Sequence, residues 1–144
     1  MADVPILTGL SEYLASISGR RWRPGVLDCG MFMADWVIRC GFADPISDIR
    51  GTYRSAAEFN DIIEREGGFL DCADARLTSV GLRAGVAPQP GDIIAVNAPY
   101  ASGLRRPTGA IAVDTDRRAV LTLDKGLVIA SGNELPILRT WSRA

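Results

Sequence analysis

"RRWRPGVLDCGMFMADW", residues 20–36, begins as a loop of Trp, Pro and Gly and ends inside a helix. Cys29, Phe32, Met33, Trp36, Val37 and Cys40 recur at the spacing of one stripe along an α-helix. Asp28 is a strong N-cap residue, and Gly41 a strong stop. The spacing therefore puts Cys29 at the first helical position, with its sulfur beside unpaired backbone N–H groups.

On the N-terminal side, Ile6, Leu7, Leu10, Tyr13, Leu14 and Ile17 form a second helical stripe over residues 6–18. Pro5 or Thr8 marks its start and Gly19 ends it. On the C-terminal side, "DPISDIRGTY" reads as a loop with at most one helical turn. "SAAEFNDIIEREGG" predicts a helix, with Ser55 as cap, Glu58 completing a capping box and Gly67-Gly68 as terminator. A weaker, shorter helix is expected over residues 69–80. From residue 90 the period changes. "PGDIIAVNAPY", "TGAIAVDTD", "RAVLTLD" and "GLVIAS" predict short strands, with hairpin turns at "DTDRR" and "LDKG". "APYASGLRRPT" is expected to be an exposed loop, with Arg105 and Arg106 either solvated or touching a partner. "LPILRTWSRA" adds a last strand or turn. The expected architecture is a single α+β domain over residues 1–144. Its helical part covers about 1–80, and an antiparallel sheet of about four or five strands covers about 90–144.

The chain has 144 residues, 47% of them apolar and 23% charged, which suits one globular domain. A formal net charge of −1 gives no electrostatic pull toward nucleic acid. No apolar run is long enough to enter a bilayer as a spanning helix. "MADVPILTGLSEYLASISGRR" lacks the basic start of a signal peptide, so a protein made and kept in the cytoplasm, or released by a route other than secretion, is expected. Three cysteines at irregular spacing argue against a disulfide framework. With no histidine and no C-x-x-C pair, neither a zinc site nor another cofactor is expected.

Cys29 reads in two ways. A helix N-terminus lowers a thiol pKa, and the backbone N–H of Cys29 or Gly30 is placed to act as an oxyanion donor. Gly30 leaves room for a substrate carbonyl. Alternatively, Cys29 begins an apolar stripe and is a core residue like Cys40 and Cys72. A nucleophilic cysteine needs a base, and the chain offers only carboxylates, tyrosines and one lysine. Asp28 is adjacent, but capping explains it better, and its charge opposes thiol ionisation. In "DIRGTY", Arg50 is expected to brace the loop through an aspartate. Trp36 is expected in the core.

"RWRPGVLDCGMFMADW" followed by "PGDIIAV" resembles the NlpC-type cell-wall peptidases, papain-like enzymes that cut peptidoglycan stem peptides. The resemblance implies a papain-like fold in which Asp28-Cys29 match the nucleophile motif and Trp22 stands at a substrate-side tyrosine position. Pro90-Gly91-Asp92 match the turn that opens the sheet. The catalytic histidine of that family begins the next strand, where this chain has Thr108 or Gly109. The position that orients the histidine falls near Thr122. The wider pattern, from "DCGMFMADW" through "DPISDIRGTY", "EGG" and the "KGL" turn to "RTW", is similar to small tail-associated proteins of phages, prophages and gene-transfer-agent-like clusters.

This resemblance implies a tail-tip or tail-assembly protein with a degenerate, inactive or impaired peptidase fold. Its partners would be other tail-tip proteins, and it would move from the cytoplasm into a virion or tail particle. The competing expectation is an active peptidoglycan hydrolase with Cys29 as nucleophile and a base from a carboxylate or a partner chain. A third is a binding module in which Trp22, Arg21 and Arg23 hold a cell-wall peptide or glycan. Against it stands the simpler reading of Trp22 as a cover on the core edge.

Overall fold

The computed structural model describes residues 4–85, 87–101 and 103–143, the side chains of residues 4–7 and 101 excepted. The side chains of Ile6 and Leu7, expected in the stripe over residues 6–18, are not among those described, and Ser102 of the expected loop lies outside the described residues. The described residues form four helices: α1 (Val4–Ile17), α2 (Cys29–Arg39), α3 (Ala56–Arg65) and α4 (Phe69–Ser79). They are followed by β1 (Arg83–Ala84), β2 (Ile93–Ala101), β3 (Leu104–Ala112), β4 (Arg117–Thr122), β5 (Gly126–Ser131) and β6 (Ile137–Ser142).

The α+β plan holds, but the sheet has six antiparallel strands rather than four or five, in the order β1-β6-β2-β3-β4-β5. β1 escaped the sequence reading because two residues are too few to show alternation. It also places sheet structure ahead of residue 90. The "DTDRR" and "LDKG" turns do separate β3 from β4 and β4 from β5. The expected loop "APYASGLRRPT" is a correction. Its described residues mostly belong to a hairpin, with Asn97 opposite Pro107 and Ala98 opposite Arg106. Its prolines disguised it. Pro99 sits at a register shift, and Pro107 on a stretch of β3 that β4 does not reach. Both are places where a missing N–H is tolerated.

The sheet has two buried faces. On one, Ile93, Ala95, Ile111, Ala119, Leu121 and Trp141 join Phe32, Met33, Trp36 and Val37 of α2 and Leu10, Tyr13 and Ile17 of α1. On the other, Ile94, Val96, Ala98, Ala110, Ala112 and Val120 pack with Leu135 from the β5–β6 connection.

Capping follows the sequence. Ser55 Oγ accepts from the Glu58 amide at 3.1 Å, and Glu58 reaches back to the Arg54 amide, also at 3.1 Å. Arg50 does brace its loop: it meets Asp35 of α2 at 2.9 Å and Asp44 at 2.8 Å. Asp48 instead pairs with Arg76 of α4 at 2.6 Å. Trp36 is buried in the core as expected, and its indole N–H donates to the Gly91 carbonyl at 2.7 Å. That bond ties α2 to the Pro90-Gly91-Asp92 turn. The same turn is held by Asp92, a buried carboxylate that accepts from the Gln89 amide and meets the Arg143 guanidinium at 3.3 Å. Trp36→Phe orphans the buried Gly91 carbonyl. It is expected to cost about 2 kcal/mol, measured as a lowered urea midpoint.

Candidate functional site

Asp28 adopts extended backbone angles, and its Oδ1 accepts from the Met31 amide at 2.8 Å, as an N-cap does. Its Oδ2 accepts from the Gly25 amide at 2.8 Å and from the Tyr53 hydroxyl at 2.7 Å. The side chain is wholly buried. Asp28 is thus consumed by capping and by bracing two loops. Tyr53 was legible as part of "DIRGTY", but no spacing rule links it to an aspartate 25 residues away.

Cys29 opens α2 as expected. The residue is half-buried, but its sulfur is enclosed. Backbone amides of Gly109 and Gly30 are directed at the sulfur, and the Arg106 charge favours the thiolate. Burial outweighs them, with the Asp28 carboxylate adding to it, and together they push the thiol up to about 12. Burial and the Asp28 charge thus work against the thiolate that the helix N-terminus alone would favour. Cys40 and Cys72 are both pushed up to about 11, chiefly by burial.

The structure brings some of the sequence-selected residues together and separates others. Gly109 lies on the face of β3 turned to α2, where a Cβ would overlap the Met33 thioether. Thr108 alternates to the opposite face, paired with Val96, and its hydroxyl donates to the Arg106 carbonyl at 3.3 Å. Thr122 is engaged elsewhere. Its hydroxyl donates to the Gly126 carbonyl at 3.0 Å and accepts from the Lys125 amide at 3.1 Å, closing the β4–β5 turn. Trp22 is half-buried against the main core, the simpler of its two expected roles.

Gly30 is buried, and the ring of Phe59 from α3 stands 3.1 Å from where its Cβ would be. The room expected for a substrate carbonyl is occupied by that ring. Met33, beside Gly109, was readable only as an apolar stripe residue, and no signal in the sequence singled out Phe59, beside Gly30. Gly30 and Phe59 also line a cavity of about 40 Å³ between α2, α3 and α4, with Met33, Ile46, Ile62 and Leu77. It is apolar and large enough only for about one water.

A family model described as a domain of unknown function (DUF6950) matches residues 7–141. The chain belongs to that family. No curated protein matches the chain. The family match spans both Asp28-Cys29 and β3, so the helix start and the strand facing it lie within one family unit. Among the described residues no group of His, Cys, Asp or Glu is arranged to hold a metal ion, and no helix is long and apolar enough to cross a membrane.

Asp28→Ala removes three hydrogen bonds at once and leaves the Tyr53 hydroxyl buried without its acceptor; a loss of about 3 kcal/mol is expected. Tyr53→Phe removes one bond only, at about 1 kcal/mol. Chemical denaturation of the two variants checks the ratio. The thiols give a pH dependence with a fixed sign. All three have raised values in the folded chain, so the unfolded chain loses those protons first as pH climbs past about 9. Their contribution to stability is complete at neutral pH and falls above about 9. Urea midpoints should be lower at pH 10 than at pH 7.5, with a smaller difference in Cys29→Ala.

Proposed function

We propose that the chain is a non-catalytic component of a phage-like tail, built on a degenerate papain-like fold of NlpC type. One observation carries the loss of catalysis. The residue of β3 that faces the Cys29 sulfur is Gly109, and the space a side chain would need there is filled by Met33. A base cannot project from that position without displacing a core methionine. The rest of the site agrees with this. The chain has no histidine, Asp28 is spent on capping, and the thiol is held neutral.

Support for the papain-like ancestry is the placing of a cysteine at a helix N-terminus against the second long strand of an antiparallel sheet opened by a Pro-Gly-Asp turn. Support for the tail setting is the sequence resemblance alone. On this reading Cys29 serves packing, and the domain serves assembly.

Alkylation separates this reading from an active hydrolase. At pH 7.5, iodoacetamide should label Cys29 at least about tenfold more slowly than a free model thiol, because only the thiolate attacks. The labelled peptide is identified by mass spectrometry. Labelling faster than the model thiol, or release of peptide amines from purified peptidoglycan that Cys29→Ala abolishes, overturns the non-catalytic reading and favours a base supplied by a carboxylate or a partner chain. The tail setting is tested separately. Tagged protein in its native host should co-sediment with purified tail particles, and Cys29→Ala should do so equally. Recovery only in the soluble fraction overturns that setting.

A further inference from the structure

The β2–β3 hairpin runs beyond its neighbours. β6 follows β2 only to Val96, and β4 follows β3 only from Ala110. The projecting part carries Arg105 and Arg106, and no acidic residue lies between Ile93 and Ala112. Arg105 is tied back: its guanidinium donates to the carbonyls of Asn97 at 2.5 Å and Glu134 at 2.8 Å, which stiffens the base of the hairpin. Arg106 instead stacks over the Tyr100 ring at 4.6 Å. Tyr100 is 42% exposed and Leu104 53% exposed. Tyr100, Leu104 and Arg106 thus give the described part of the hairpin a positive, aromatic and aliphatic surface, braced from behind by Arg105; it forms a finger.

Elsewhere on the same molecule lies an open groove of about 610 Å³ along α3, lined by Thr52, Tyr53, Glu58, Asp61, Ile62, Glu64 and Arg65. Buried Ile62 and Tyr53 lie beneath it, and its open surface mixes polar and apolar groups. Its rim has three exposed carboxylates against one guanidinium, and that guanidinium, Arg65, turns back to the Asp61 carbonyl at 3.4 Å. No ion pair among the described residues engages Asp61 or Glu64. Finger and groove are opposite in charge, so Arg106 on the one complements Asp61 and Glu64 on the other. The overall charge of −1 is small, so two copies approach without strong repulsion.

We propose that the hairpin finger of one copy docks in the α3 groove of a second copy, with Arg106 against Asp61 and Glu64 and with Tyr100 and Leu104 over the groove. The two surfaces are unlike, so each copy offers one finger and one groove. Reciprocal exchange closes a dimer, and head-to-tail docking builds a ring or a fibre. The contact does not depend on the chemistry of Cys29.

Analytical ultracentrifugation of the full chain tests this. At low salt the wild-type mass should rise with concentration above that of a monomer, and about 0.5 M NaCl should reverse the rise by screening. Arg106→Glu and the double variant Asp61→Lys/Glu64→Lys should each associate at least tenfold more weakly. Every substituted side chain is exposed, so unchanged melting temperatures are expected. Should a reversal fail to fold, Arg106→Ala and Asp61→Ala replace it. The deciding arm mixes the finger variant with the groove variant. The former keeps its groove and the latter its finger, so the mixture should form a complex of one copy of each, although neither associates alone. A wild type that stays monomeric up to about 1 mM overturns the proposal, as does a mixture that stays monomeric while the wild type associates. Association unchanged in both variants also overturns it, since the copies would then meet through another surface.

Discussion

The Asp28 carboxylate ties together three segments of the chain. It is wholly buried, and it accepts hydrogen bonds from the start of α2, from the loop before it and from Tyr53 in the connection between α2 and α3. A buried charge is tolerated only when its lone pairs are satisfied. Here the satisfying groups come from three separate segments, so all three are drawn into one arrangement. Gly25 suits this because its backbone has a φ of +77°, and the space a side chain would take is filled by the Tyr53 carbonyl. The loop can therefore close tightly over α2, and Tyr53 then stacks against Phe59 to bring in α3.

The same carboxylate sets the electrostatics of its neighbour. A helix N-terminus with two amides directed at a sulfur would ordinarily favour a thiolate. Beside Cys29 that preference meets the Asp28 carboxylate and the burial of the sulfur, and both oppose it. Burial of the sulfur is the larger of the two. Position at a helix start is thus only one of the influences on a thiol, and burial acts against it here.

Much of the fold was written locally and was legible for that reason. The α2 stripe, the Ser55–Glu58 capping box, the Pro90-Gly91-Asp92 turn and the hairpin turns depend on residues within a few positions of one another. The misses are of another kind. Two residues of β1 are a strand only because β6 lies beside them. The region around Pro99 and Pro107 is extended only because the neighbouring strands leave those prolines free of ladder obligations. The candidate site divides in the same way. Asp28 and Cys29 were recognisable from the helix start. Tyr53, Phe59 and Met33, which decide what those two residues can do, come into place through tertiary packing. Between Thr108 and Gly109 the sequence left the choice open, and the pleat of β3 resolves it by turning only Gly109 toward α2.

The interlocking of Gly109 with Met33 also bears on how such a chain can change over generations. A side chain at 109 would meet the flexible end of Met33, so that thioether has to swing aside or be shortened before anything larger than glycine is accommodated. Shortening Met33 alone leaves a void in the core. Changes at the two positions are therefore expected to be coupled rather than additive.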